Sequence, residues 1–280
     1  MPVFETRGTG ILLDGKEVVM RRIRLTVAYD GTNYAGWQVQ PNGVSIEEVL
    51  NRELKKILKE DIRVIGASRT DSGVHADGNI CVFDTESRIP ADKFKFALNE
   101  GLPPDIVVQE SDEVPLTYHP RKMASVKTYE YRILNRAIPL PKERNYAHFY
   151  HYPLDVQKMR KAAKVLVGTH DFRSFCSIHT SVTDFVRTIY EISIEKEGDL
   201  ITIRIAGSGF LYNMVRIIVG TLKEIGCGFR PPENMQEVLD AKDRAAAGPT
   251  APANGLTLKS IVPGERETAF KEAPAGEGEE

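Results

Sequence analysis

Cysteine is scarce in this 280-residue chain, and Cys81, Cys176 and Cys227 stand far apart with no C-x-x-C pair. That spacing excludes a zinc ribbon and a disulfide framework, and it makes a reducing compartment, the cytoplasm, the expectation. Long apolar runs are also missing, since none approaches the ~20 residues that a membrane-spanning helix requires. The first twenty residues contain Glu5, Asp14 and Glu17 and no apolar core, so no secretory signal is expected in them. The chain lacks G-x-x-x-x-G-K-[ST], a Rossmann glycine fingerprint, G-x-S-x-G and H-E-x-x-H. Nucleotide hydrolysis, dinucleotide redox chemistry, serine hydrolysis and zinc peptidase chemistry therefore have no sequence support. His170-Asp171 and Asp71-x-x-x-His75 offer ligand-type side chains without metal spacing, so no metal is expected.

Neither sign of charge dominates. The formal net charge is −2, and Gly264–Glu280 alone holds six acids against two bases. Without that stretch, residues 1–263 carry 35 Lys+Arg against 33 Asp+Glu, a mildly basic body that could focus charge in a groove. Hydrophobic residues at 41% and charged residues at 27% are ordinary for a soluble chain long enough to bury one large core or two smaller ones.

Hydrophobic periodicity divides the body into two halves. Ile23–Tyr29 alternates as a half-buried strand ended by Asp30-Gly31. Ser45-x-x-Glu48 reads as a capping box ahead of a helix with Ile46, Val49, Leu50, Leu54, Ile57 and Leu58 on one face. Strands are expected at 62–67, 79–84 and 106–108, with a helix over 91–99. The second half predicts a strand over 127–134, a helix over 154–166, a strand pair over 186–194 and 200–206 turned at Glu197-Gly198-Asp199, and an apolar helix over 210–225. Each half thus follows the ferredoxin-like, split βαβ order, an α+β pattern. The expected division is an N-terminal extension (1–20), an α+β domain (21–115), a second α+β domain (116–263) and an acidic disordered tail (264–280).

Three features could carry chemistry. Arg69-Thr70-Asp71-Ser72-Gly73-Val74-His75-Ala76-Asp77-Gly78 places a carboxylate in a short polar loop between two predicted strands. Such a segment is either a charged hairpin tip or a side chain presented rigidly to a ligand. Arg216 stands on a helix that is apolar on nearly every side, where a guanidinium needs a counter-ion or a route to solvent. If Asp71 is that counter-ion, the arginine should hold its pKa low. Tyr129 and Tyr131 share a strand face with Lys127, an arrangement that suits either base stacking or ordinary core. Weaker basic candidates for a phosphate groove are Arg21, Arg22, Arg24, Arg121-Lys122 and the Lys158, Arg160, Lys161, Lys164 face.

The segment Arg69–Ala76 closely resembles the R-T-D-x-G-V-H-A signature of the TruA family of tRNA pseudouridine synthases. Further matches follow in family order: Tyr29-Asp30-Gly31-Thr32-x-Tyr34-x-Gly36-Trp37-Gln38, Leu98-Asn99 with Leu102-Pro103, His119-x-Arg121, Lys127-Thr128-Tyr129-x-Tyr131, Gly168-x-His170-Asp171-Phe172, Met214-Val215-Arg216 and Gly248-Pro249-Thr250-Ala251-Pro252. The resemblance implies the pseudouridine synthase fold, a mixed and mainly antiparallel sheet with flanking helices. It implies an isomerase that turns uridine into pseudouridine in the anticodon stem-loop of tRNA, at positions 38, 39 and 40. It also implies a homodimer that uses neither metal nor organic cofactor. Carried over residue by residue, Asp71 matches the catalytic aspartate, Tyr129 the tyrosine that stacks on uracil and removes the C5 proton, and Arg216 the partner of the carboxylate. Arg69 matches the residue that helps extrude the nucleotide, and Leu256 an apolar contact to the flipped base. Ser68, Ser72, Asn79, Glu47 and Pro120 depart from the usual pattern and leave open the same chemistry on a shifted tRNA target. Two rival functions also fit parts of the sequence. One is a tRNA-binding or tRNA-folding module with secondary catalysis, and the other is a base-releasing glycosidase using Asp71 with Asp77 or Asp84.

Overall fold

A computed structural model describes residues 11–13, 16–178 and 182–264. Its elements in chain order are β1 (Ile11–Leu13), β2 (Lys16–Val18), β3 (Arg21–Tyr29), α1 (Ile46–Leu58), β4 (Ile65–Gly66), β5 (His75–Thr85), α2 (Phe94–Asn99) and β6 (Ile106–Val114). There follow β7 (Ser125–Asn135), β8 (His148–Tyr150), α3 (Val156–Ala163), β9 (Gly168–Asp171), β10 (Val186–Glu197), β11 (Leu200–Gly207), α4 (Met214–Gly226), α5 (Asn234–Ala241) and β12 (Leu256–Pro263). β1 and β2 pair only with each other, and the expected disordered tail lies outside the described residues apart from Gly264.

One sheet of ten strands unites both halves, in the order β6-β3-β5-β12-β7-β11-β10-β9, with β4 added beside β5 and β8 beside β7. The class is α+β, and the sheet is mixed and mainly antiparallel, as the sequence implies. Its parallel pairs are β12 with β5, over Thr257–Leu258 against His75–Ala76, and β7 with β8. The strand nearest the C-terminus is therefore the seam: β12 joins β5 on one side and runs antiparallel to β7 on the other.

The alternation that marks β3 buries Ile23, Leu25, Val27 and Tyr29 while Arg22 and Arg24 face outward. Ser45 caps α1, its hydroxyl accepting from the Glu48 amide at 3.2 Å, and Ile46, Val49, Leu50 and Leu54 turn inward. Several predicted elements differ in extent, three of them with a clear local cause or consequence. The strand expected over 62–67 contracts to β4, because the Val64 amide donates to Asn51 Oδ1 on α1 at 2.8 Å. The helix expected from 154 begins at Val156, where Asp155 accepts from the Gln157 and Lys158 amides, and Leu154 packs ahead of it. The helix expected from 210 begins at Met214, which leaves Phe210, Leu211 and Tyr212 as loop.

Two glycines set close approaches that later position the site. Gly36 has φ +92°, and a Cβ there would lie 2.5 Å from the Thr70 carbonyl oxygen. On α4, a Cβ at Gly220 would lie 1.7 Å from the Pro249 carbonyl oxygen. The Pro249–Pro252 segment can lie along α4 only because that side chain is missing. Gly220→Ala is therefore expected to destabilise the fold by at least about 1–3 kcal/mol through overpacking. Thermal denaturation checks this, and an unchanged midpoint would mean that the close contact is not held in solution.

Candidate active site

The loop between β4 and β5 is held from beneath. The Trp37 amide donates to the Thr70 carbonyl at 3.0 Å, and Tyr29 Oη shares a hydrogen with Thr70 Oγ1 at 2.7 Å. Asn79 Nδ2, fully buried, donates to the Ser68 carbonyl at 3.0 Å and to Tyr29 Oη at 3.2 Å. On the far side Ser72 Oγ and the Gly73 amide both reach the Tyr34 carbonyl, and Val74 N–H closes a turn onto the Asp71 carbonyl at 3.1 Å. Gly73, at φ +77°, supplies the left-handed residue in that turn. The loop ends earlier than its sequence suggests: His75 already belongs to β5, paired with β12. His75 Nδ1 accepts from the Gly31 amide at 3.1 Å, and Nε2 then donates to the Asn145 carbonyl at 2.8 Å, so this histidine ties the two halves together.

Asp71, fixed in this way, meets Arg216 from α4. Arg216 Nη1 donates to Asp71 Oδ2 at 3.0 Å and to Asn213 Oδ1 at 2.8 Å, while Nε donates to the Ala251 carbonyl at 2.7 Å. The Ala251 amide in turn donates to the Arg216 carbonyl, so the Gly248–Pro252 motif cradles the guanidinium. The two side chains retain 24% and 17% of their exposure. Electrostatically the pair departs from the expectation of a depressed aspartate. Burial pushes the Asp71 carboxyl above its ordinary value, and the charge and hydrogen bond of Arg216 pull it only part of the way back.

Asp71, Tyr129, Arg216, Arg69 and Leu256 all line one cleft of about 840 Å³, within the size range of small-ligand pockets. Tyr129 is largely buried, with its hydroxyl 2.9 Å from Ser68 Oγ and its ring edge-on to Phe210 at a centroid distance of 5.0 Å. Loss of solvent pushes this phenol up to about 12. Tyr131 is core: it is fully buried, and its hydroxyl donates to the Pro252 carbonyl at 2.8 Å. Leu256 opens β12, opposite Tyr131 in register. Arg121 and Lys127 also line the cleft. Lys127 donates to the Ala67 carbonyl, and burial, with Arg187 and Arg121 nearby, lowers its pKa. Asp71 is the one carboxylate among the described lining residues.

Most of the other basic candidates are engaged elsewhere. Arg21, Arg22 and Arg24 pair with Glu113, Asp84 and Asp112, while Lys161 pairs with Glu233 and Arg160 donates to the Ile194 carbonyl. The rival carboxylates of a glycosidase are likewise occupied, Asp77 by Lys259 and Asp84 by Arg22. Among the described residues no group of three His, Cys, Asp or Glu side chains could hold a metal ion, and no helix is long and apolar enough to cross a membrane. Sequence reasoning overlooked Asn213 and Phe210. Both fall inside the helix expected over 210–225, which begins only at Met214, so nothing in the pattern set them apart.

A family model described as tRNA pseudouridine synthase matches residues 25–121 and 162–262. Curated relatives named tRNA pseudouridine synthase A include one from Thermoanaerobacter sp. (strain X514), 48% identical over 87% of this chain and 100% of its own length. One from Brevibacillus brevis is 49% identical over the same shares. A third, from Halalkalibacterium halodurans, is 50% identical over 85% of this chain and 90% of its own. Among solved structures, a crystal structure of a Cbf5-Nop10-Gar1 complex aligns with 72% of this chain and 45% of that chain at 16% identity and a TM-score of 0.35, a slight likeness. With the family model covering most of the chain and near-half identity along whole relatives, this chain belongs to the tRNA pseudouridine synthase family.

Proposed function

We propose that this isomerase converts uridine to pseudouridine at positions 38, 39 and 40 in the anticodon arm of tRNA, as a cytoplasmic homodimer, with Asp71 as the catalytic group. The observation that carries this reading is Asp71, the single carboxylate among the described residues lining the cleft, bonded to Arg216 and sharing the cleft with Tyr129 and Leu256. The reaction breaks C1′–N1, turns the detached uracil, joins C5 to C1′ and removes the C5 proton. An ionised carboxylate begins it by adding to the sugar or the base, or by taking a sugar proton. A target inside a stem must first leave its stack, and an apolar and aromatic pocket receives it. Leu256 and Tyr129 form those walls, and Arg69 at the exposed rim assists extrusion. Arg121 and Lys127, which line the same cleft, suit the phosphates of the flipped nucleotide.

Burial favours the protonated form of the Tyr129 phenol, so it takes the C5 proton only after its own proton has left to solvent, and Ser68 Oγ, 2.9 Å away, then donates to the phenolate. Tyr129→Phe is expected to leave tRNA affinity within a few-fold and to slow turnover by about 10²- to 10⁴-fold, the usual worth of a positioned acid–base group. A deuterium isotope effect from 5-deuterated uridine should appear in that variant. Unchanged turnover would remove Tyr129 from the reaction.

The overall reading is tested by mapping pseudouridine in tRNA from cells lacking this protein and from the same cells with the gene restored. Loss and recovery at positions 38–40 supports it. Loss at other positions would mean a shifted target, and no loss at all would overturn the proposal.

A further inference from the structure

We infer that Asn213 is a positioning residue for the reaction, one that holds the Arg216 guanidinium where it can serve Asp71. The inference rests on the reading of Asp71 and Arg216 as the working pair. Asn213 precedes α4 at φ 61°, ψ 9°, one of three non-glycine residues with positive φ among those described. Asparagine tolerates this region better than most side chains, yet the conformation is still held at some energetic expense and concentrates at functional sites. An asparagine ahead of a helix ordinarily caps it by accepting from the first-turn amides. Here the side chain makes no cap.

The amide is used elsewhere. Arginine only donates, so the atom facing Arg216 Nη1 at 2.8 Å must be Oδ1. That choice turns Nδ2 outward, where it donates to Ser177 Oγ at 2.8 Å. The Ser177 amide donates to the Tyr212 carbonyl at 3.1 Å, so the two segments are joined twice, through backbone and side chain. Arg216 is consequently held at three points: Nε on the Ala251 carbonyl, and Nη1 shared between Asn213 and Asp71. Without Asn213, Nη1 keeps Asp71 as its side-chain acceptor and the long side chain regains freedom to swing from the carboxylate. The remaining charged or titratable groups lining the cleft, Arg69, Arg121, Lys127, Tyr129 and Tyr212, make no hydrogen bond to Asp71 among the described residues. The Asn213–Arg216 geometry is thus the lever on that carboxylate.

The test uses the full-length protein with tRNA, comparing Asn213→Gly, which suits the left-handed backbone, and Asn213→Asp, which presents Arg216 with a competing anion. Both should lower kcat by about 10- to 100-fold, the usual result of loosened positioning, with KM for tRNA within a few-fold. In both, the acid limb of the kcat/KM profile should move to higher pH, further in Asn213→Asp. Thermal midpoints read alongside separate a folding defect from a catalytic one. If Asn213→Gly folds and retains the parent kcat and pH profile, the inference is wrong. A loss confined to stability, with normal kcat in the folded fraction, would equally assign Asn213 a structural role only. Should Asp71→Asn remain active, the underlying reading fails instead, and the two failures are distinguishable.

Discussion

Asp71→Asn is expected to bind tRNA within a few-fold of the parent and to form pseudouridine slower by on the order of 10³-fold or more, as when a group that acts on the reacting atoms is removed. The substitution keeps the shape of the side chain, and its amide oxygen can still accept from Arg216 Nη1, so the loop and the guanidinium have no reason to move. What disappears is the anion. Under the proposed function the contacts to tRNA lie elsewhere in the cleft, on Arg69, Arg121, Lys127 and the apolar walls, so binding is expected to survive. Binding measured by filter retention and turnover measured by nucleoside analysis must separate. If both fall together, Asp71 holds the loop or the RNA and is not the reacting group.

The second large effect is expected at Arg216. Two opposed influences act on Asp71: desolvation raises its pKa and outweighs the arginine, which lowers it. Arg216→Gln removes the lowering influence and leaves burial unopposed, so the carboxyl holds its proton to higher pH. The acid limb of kcat/KM should shift upward, and the rate at neutral pH should fall by about 10²- to 10³-fold, comparable to losing one preorganised donor at a reacting charge. Arg216→Lys, which keeps the charge but not the forked contacts with Ala251 and Asn213, should fall between the two. The stability linkage has a definite sign. A carboxyl whose folded-state pKa is raised contributes stability that is fully present below its unfolded value and is lost as pH rises through the folded one. The parent fold should therefore lose stability from this group on passing upward through that window, and Arg216→Gln should extend the loss to higher pH. An Arg216→Gln profile that overlays the parent would break the proposed pairing.

How legible all this was depended on whether the information is local. β3 and β7, each with one face on the core, alternate plainly and are readable from period alone. β6 extends six residues beyond its apolar start because Glu110, Asp112 and Glu113 on this edge strand find Lys95, Arg24 and Arg21, a pairing invisible in a hydrophobicity pattern. β12, the seam of the sheet, escaped detection because its register shifts between Leu258 and Ser260 and its partners lie far away in sequence. At the site, the oddity of a charge on an apolar helix was enough to suggest the Asp71–Arg216 contact across 145 residues. The direction of the Asp71 shift was not legible, since the balance of desolvation against Coulomb attraction depends on packing. Nor was Asn213, whose role arises from one backbone conformation and an amide turned away from capping.

The most direct measurement of the central claim is a nucleoside balance on unmodified tRNA incubated with the purified protein, run beside Asp71→Asn. The account predicts that uridine lost equals pseudouridine gained within the anticodon arm, with no free uracil, and that the Asp71→Asn reaction leaves the tRNA unchanged. Free uracil in place of pseudouridine, or pseudouridine formed equally by Asp71→Asn, would contradict it.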